Sequence, residues 1–429
     1  MLAKLEKLLK EPHNIYEVIK PLQLICYIIG LGPYKVTYKN GFAMYDRSLW
    51  CLVRCAILFA VYSGVMAIHI TRKEKFLGND IEDYLKTLEE YFITLITLVS
   101  MVFACIFAQR IIDAFKNIDQ VDREFQKLAV WMPYRRTHAV VVINVIVIIL
   151  IGVIILIWIL LVYPLGNIMM TTILEIATFL PFLLLTYFME SQYVQYVKLV
   201  YYRYSILNEH LEVLYRENTI IEGWIKEYNE DTNDVSKVSR SSLKSFKILS
   251  NPILVIDKVV GLHIKLSDTA YLINTAFSVQ LLFRITIAFV TIVTALYTIG
   301  VNFSNPGQDS NTLKVDTMFT MWAVSSAIEL FIIVHIANAT CEEANKCPRL
   351  MHKIRNSTKN AKLQDKIEMY SLQMYHNRLK FYVCGLFPLD YTLLHTIVAG
   401  VTTYLVILVQ FNTAGSITKK SKKLLSNST

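Results

Sequence analysis

The sequence predicts an all-α membrane protein. It would have seven transmembrane helices, a cytoplasmic N-terminus, an extracellular C-terminus and a cytosolic bundle of helical extensions. Three observations predict this. The 429 residues are 54% apolar and 18% charged, with a mean hydropathy of +0.42, whereas an average soluble domain carries roughly 25% charge. Seven stretches have the about 20 mostly apolar residues that a spanning helix needs. Lys and Arg then alternate in abundance from one connecting segment to the next.

The spans are expected at 49–70, 90–109, 139–163, 173–196, 273–299, 316–339 and 391–411. Ala139 to Tyr163 runs without a charge, whereas the first span contains Arg54 and the fourth contains Glu175, Pro181 and Glu190. Lys4, Glu6, Lys7, Lys10 and Glu11 interrupt the apolar run that a secretory signal needs. The segments before span 1 and between spans 2–3, 4–5 and 6–7 hold 7, 6, 10 and 9 Lys and Arg, and the alternate segments hold 4, 0, 1 and 4. The positive-inside rule puts the richer side in the cytoplasm, so the net charge of +9 calls for no nucleic-acid partner.

The chain then divides into a cytoplasmic segment 1–48, spans at 49–196, a helical extension with a flexible loop at 197–272, and spans at 273–339. Cytosolic helices at 340–390, the last span at 391–411 and an extracellular tail at 412–429 complete it. Residues 193–204 and 254–265 carry apolar positions at helical spacing, so spans 4 and 5 are expected to continue below the membrane. Asn302-Phe303-Ser304 is a glycosylation acceptor on the outer loop between spans 5 and 6.

Catalytic signatures are missing. There is no HExxH, GxSxG or P-loop, and the seven Cys lack the spacing of a metal site. The chain is not expected to be an enzyme, nor to need a metal or cofactor. A charge at mid-membrane needs a partner or a cavity. Arg284 and Glu329 lie 11 and 10 residues from the inner ends of spans 5 and 6, so an interhelical ion pair is expected. It would either fix helix packing or couple two states. The outer halves of spans 3 to 6 gather aromatic and hydrogen-bonding residues suited to a small-molecule pocket. Trp158, Glu175, Thr178, Trp322 and Ser325 are the candidate ligand contacts, while Tyr163 and Tyr297 read as an interfacial aromatic belt.

The last span carries Thr403, Ile407 and Gln410 on one helical face and Tyr404, Leu408 and Phe411 on the neighbouring stripe. Two readings of this spacing stand. The polar residues are interhelical ties, or several copies of the helix line a pore with an apolar constriction.

Thr403-Tyr404-Leu405-Val406-Ile407-Leu408-Val409-Gln410-Phe411 matches the signature of the insect gustatory receptor family: Thr-Tyr, five hydrophobic residues, then Gln-Phe. Phe381 to Tyr391 resembles the family's stretch before the last span, and Ala337, Cys341, Glu342 and Ala344 are also family-like. The resemblance implies a tastant-gated, non-selective cation channel in the plasma membrane of a gustatory receptor neuron. It implies a homotetramer, or a heteromer with related subunits, in which the last spans line a central pore. Thr403, Tyr404, Ile407, Leu408, Gln410 and Phe411 would form the pore and gate. Leu405 stands where sugar receptors outside the fructose type often have Glu, so a bitter plant compound or fructose is the implied ligand. A seven-helix receptor coupled to G proteins and a membrane transporter are the competing classes. The first would need its C-terminus inside, and the second would need clustered ion-coordinating residues.

Overall fold

The computed structural model describes residues 12–39, 42–73, 81–128, 130–162, 169–230, 252–304 and 310–426. A helix α1 (Ile15–Ile29) leads into a hairpin of β1 (Tyr34–Lys39) and β2 (Phe42–Arg47). Then come α2 (Leu49–Lys73), α3 (Ile81–Ile106), α4 (Ala108–Lys127), α5 (Tyr134–Val162) and α6 (Met169–Glu230). They are followed by α7 (Pro252–Ser304), α8 (Ser310–Ala344), α9 (Cys347–Ser357) and α10 (Ala361–His376). A two-residue-per-strand hairpin, β3 (Tyr382–Val383) and β4 (Phe387–Pro388), feeds α11 (Tyr391–Ser426).

Five helices contain stretches long and apolar enough to cross a membrane: α2, α5, α7, α8 and α11. α3 bends by 61° into α4 at Phe107, and the two together are long and apolar enough for a sixth crossing. The expected fourth span lies within α6, where the side chains of 171–179 fall outside the described residues. With 62, 53 and 35 residues, α6, α7 and α8 are about 93, 80 and 53 Å long at 1.5 Å per residue. Each exceeds the roughly 30 Å hydrocarbon layer, so each carries a helical extension beyond it.

α1 starts where the Asn14 side chain accepts the Glu17 N–H at 2.9 Å, an N-cap that satisfies one orphan donor. It buries Ile15, Val18, Ile19, Leu22 and Cys26 along one face and ends at Gly30, whose φ of 93° is open to glycine. A Cβ there would also lie 2.8 Å from Met101 Cε, so residue 30 is constrained twice. Arg54, the charge in the first span, reaches the carbonyls of Tyr27 and Gly32 at the end of α1 and stacks over the Tyr27 ring. Its cost in lipid is thus offset by backbone acceptors and a ring face.

α7 is the central helix: 56% of its apolar stretch is buried, against 6% for α11. Polar ties cross the bundle. Gln280 donates to the Ser100 carbonyl at 3.2 Å, joining α7 to α3, and the Ser191 hydroxyl bonds Asn144, joining α6 to α5. Such ties average about 0.6 kcal/mol each in a membrane bundle. On the extensions, Arg203 of α6 holds Asp122 of α4 through two bonds of 2.9 and 2.7 Å, and Tyr134 adds a third at 2.8 Å. Tyr204 packs edge-on against His263 and bonds Ser267 at 2.8 Å, while His263 Nε2 meets the Ala344 carbonyl at 3.2 Å.

The N-terminal segment includes a β-hairpin in which Tyr34 pairs with Arg47 and Lys39 with Phe42. Two expectations are corrected. Asn302 lies in the last helical turn of α7 and is half-buried, so it does not sit on an outer loop. The helix continues because no breaker arrives before Pro306. Tyr297 is only 5% exposed and faces the interior, which removes it from an interfacial belt.

Candidate functional site

At mid-bundle one arginine meets two acids. Arg284 of α7 donates through Nε to Glu190 Oε1 of α6 and through Nη2 to Glu329 Oε2 of α8. Ser325, one turn before Glu329, gives its hydroxyl to Glu329 Oε1 at 2.7 Å, and the Tyr187 hydroxyl lies 2.9 Å from Ser325 Oγ. The side chains of Arg284, Glu190 and Glu329 are 7, 7 and 14% exposed. The expected partners Arg284 and Glu329 are therefore together, with Glu190 and Tyr187 added. Glu190 was visible in the sequence as a charge inside a span, and the cost of an unpaired charge there was the signal that it, too, needed a partner.

Ser325, a candidate ligand contact, belongs to this network rather than standing alone. Trp322, one turn earlier in α8, is half-buried. The side chains of Trp158, Glu175 and Thr178 lie outside the described residues. The C-terminal half of α7 adds two residues that sequence reasoning did not single out. Thr294 and Thr298 are each 1% exposed, one turn apart, and their hydroxyls have no hydrogen-bond partner among the described residues. A buried hydroxyl without a partner is costly, so both are open to a water or a ligand. Period-3.6 reading could have found them, because Thr291, Thr294 and Thr298 recur on the face shared with Tyr297.

The last span is placed by the turn before it. Cys384 and Gly385 adopt φ of 50° and 72°, which reverses the chain between β3 and β4. The carbonyl of Tyr382 accepts from Asn274 Nδ2 at 2.9 Å and from Ser278 Oγ at 3.3 Å, docking the hairpin on α7. Asp390 Oδ1 then accepts the Thr392 N–H at 3.0 Å and caps α11. Higher up, the Phe289 ring meets Tyr404 edge-on at 5.6 Å. A Cβ on Gly400 would lie 3.0 Å from Phe289 Cε2, so glycine lets the two helices close.

This docking divides the candidate pore residues. Val401 is buried and Leu405 and Leu408 half-buried against the chain's own helices, on the side where Tyr404 meets Phe289. Thr402, Thr403, Val406, Ile407, Val409 and Gln410 are exposed, and so is Tyr404, at 55%, despite its ring contact with Phe289. The hydroxyls of Thr402 and Thr403 donate to the Val398 and Ala399 carbonyls of the same helix, both at 2.9 Å. Their donors are used and their lone pairs face outward, a surface that presents oxygen rather than hydrogen. Within one chain, then, Thr403 ties no neighbouring helix. The Phe411 side chain lies outside the described residues.

A sequence model described as 7tm Chemosensory receptor matches residues 19–414, and the chain belongs to that family. Its relatives include two Drosophila melanogaster proteins. "Putative gustatory receptor 28a" is 24% identical over 435 residues, spanning 96% of this chain and 95% of that protein. "Putative gustatory receptor 28b" is 31% identical over 167 residues, and this match spans 36% of its length, about a third. The fold is that of the insect olfactory receptor OR5 from Machilis hrabei, with a TM-score of 0.61 at 11% identity, covering 92% of this chain and 97% of that one. The chain is thus a membrane-spanning chemoreceptor of a family of receptors and not of enzymes.

Proposed function

We propose that the chain is a tastant-gated, non-selective cation channel of the plasma membrane, in which four copies place their α11 helices around a central pore. The observation that carries this reading is the exposed face of α11. Over 401–410 it is apolar except for Thr402, Thr403, Tyr404 and Gln410, and only 6% of the residues in the helix's apolar stretch are buried by its own chain. Lipid alone gives no reason for two hydroxyl oxygens and an amide to share that face. A water-filled pore does, and outward-facing oxygen lone pairs suit a cation. Ile407, on the same face, supplies the apolar constriction between the Thr403 and Gln410 levels.

The ligand site is placed in the outer half of the bundle, around Trp158, Glu175, Thr178 and Trp322. Thr294 and Thr298 supply hydrogen bonds to a bound hydroxyl or amine. Ligand would favour the open state by its differential affinity, and a strong switch needs several kcal/mol. The Glu190–Arg284–Glu329 cluster joins α6, α7 and α8 directly below, and α7 carries Phe289 against α11. A shift of α7 at the ligand site would therefore reach the pore helix through one ring. The N-terminus is assigned to the cytoplasm by the Lys and Arg distribution.

Whole-cell recording from a non-neuronal cell expressing only this chain tests the proposal. A panel of plant alkaloids and sugars should evoke a current that needs no second messenger. A response that appears only with co-expressed G proteins would sink it.

A further inference from the structure

Between the start of α9 and the end of α10 lies a cleft of about 340 Å³, within the range of roughly 300–1,000 Å³ for small-molecule sites. Arg349 and His352 of α9 line one wall, Ser371 and Tyr375 of α10 the other, with Asn345 and Arg378 at the two ends. None of the lining residues is acidic. Neighbouring cations are already matched: Arg355 by Glu368 and Lys366 by Asp257, both at 2.6 Å. Arg349 and Arg378 have no such carboxylate among the described residues. Arg378 is held in place, with its guanidinium 4.0 Å over the Tyr375 ring and the next carbonyl, Leu379, accepting from Asn345 Nδ2 at 3.4 Å. The surrounding segment 341–380 has nine Lys and Arg against four Asp and Glu, so the local field favours an anion.

The cleft also lies at a telling depth. Asn345 is six residues beyond the end of the span at 339, about 9 Å along a helix. The headgroup layer adds roughly 5–8 Å to each face of the hydrocarbon core, so the mouth of the cleft opens beside it. The Ser371 hydroxyl donates to the Glu368 carbonyl at 3.0 Å and lies 3.3 Å from His352 Nε2, so the two planar guanidinium forks of Arg349 and Arg378, which line one cleft, are the groups that suit the oxygens of phosphomonoesters. We propose that this cleft binds a multiply phosphorylated inositol headgroup. Its source is either an inner-leaflet phosphoinositide or a soluble inositol phosphate. The lipid source rests on the cytoplasmic placement of α9 and α10 given above, whereas the binding chemistry does not.

The full-length protein in non-ionic detergent micelles tests this by fluorescence polarisation. The probes are a fluorescent short-chain phosphatidylinositol 4,5-bisphosphate and fluorescent inositol trisphosphate. Saturable binding of either supports the site, and their relative affinities assign the source. Preference for the lipid probe points to the membrane, and equal binding to a soluble ligand. Removing each arginine should weaken binding roughly fivefold, so R349Q/R378Q together should weaken it about 25-fold. The control K353Q/K362Q, which removes two lysines outside the cleft, should change it less than about twofold. Unlabelled inositol trisphosphate should displace the probe from the unaltered protein where equimolar sulfate does not, which keeps the test alive if a variant folds poorly. No saturable binding, or an equal loss in the control, overturns the proposal. Detergent binding is independent of orientation and of current, so its failure leaves the channel reading untouched.

Discussion

Arg284 is held between Glu190 and Glu329, and this changes what a charge-swap experiment should find. A simple pair would be rescued by exchanging its two charges. Here R284E would face Glu190 as well as the swapped position, so R284E/E329R should remain defective. Only the triple variant R284E/E329R/E190Q should recover folded protein, measured as the monodisperse peak in detergent chromatography. R284A leaves two buried acids without a cation and should cost about 3–5 kcal/mol, seen as a large drop in thermal midpoint. Full rescue by the double swap would show that Glu190 makes no contribution. The pair itself was legible because a charge in lipid is so costly that position alone demands a partner. Glu190 escaped because it counted as a weakness of its span rather than as a group needing satisfaction.

Among the elements, α11 and the extensions behave differently. The α11–α7 contact depends on the missing side chain at Gly400. G400V forces either Phe289 or the helix to move, at a cost of about 1–3 kcal/mol. It should shift the half-activating ligand concentration while leaving surface expression near normal, and F289A should suppress the shift. A G400V channel with unaltered activation would mean that this contact does not report ligand. On the extensions, His263 lies ten residues inward of the span that begins at 273, about 15 Å. Burial lowers its pKa from the ordinary 6.5. The unfolded chain therefore binds the extra proton, so the stability that His263 contributes is complete above about pH 6.5 and declines below it. Amide protection factors around 200–210 and 257–270, which are exchange rates normalised to the intrinsic rate at each pH, should be lower at pH 5.5 than at 7.5, and H263Q should remove that difference. The 3.6-residue period sets Thr403, Ile407 and Gln410 on one side of α11, and all three are exposed, but it gave no sign that Tyr404 on the neighbouring stripe is exposed as well. The β1–β2 hairpin was not. Its signal is the dipeptide Asn40-Gly41 between alternating Tyr34, Val36 and Tyr38, which composition statistics over longer windows erase.

For the whole molecule, the sequence was most informative where the solvent is lipid. Hydropathy and the Lys and Arg distribution give helical spans and an orientation because an unsatisfied backbone or a misplaced charge costs several kcal/mol there. Helix-to-helix contacts were not legible, since lipid tails are as apolar as leucine and the pattern carries no information about which face meets which neighbour. That is why the Phe289 contact with α11 emerges only from the fold. Epitope tags at the two ends check the orientation. The account expects the N-terminal tag to be stained only after permeabilisation and the C-terminal tag on intact cells.

The central claim is that the exposed face of α11 lines the conduction path. The most direct measurement is the ligand-evoked current of Q410A beside L405A, recorded across voltages with sodium, potassium and a large organic cation exchanged outside. If the account holds, Q410A changes rectification or relative permeability, while L405A, half-buried within its own chain, leaves both unchanged and alters only the ligand dose. Identical permeability in Q410A and the unaltered protein, with the change falling on L405A instead, would place the pore elsewhere and contradict it.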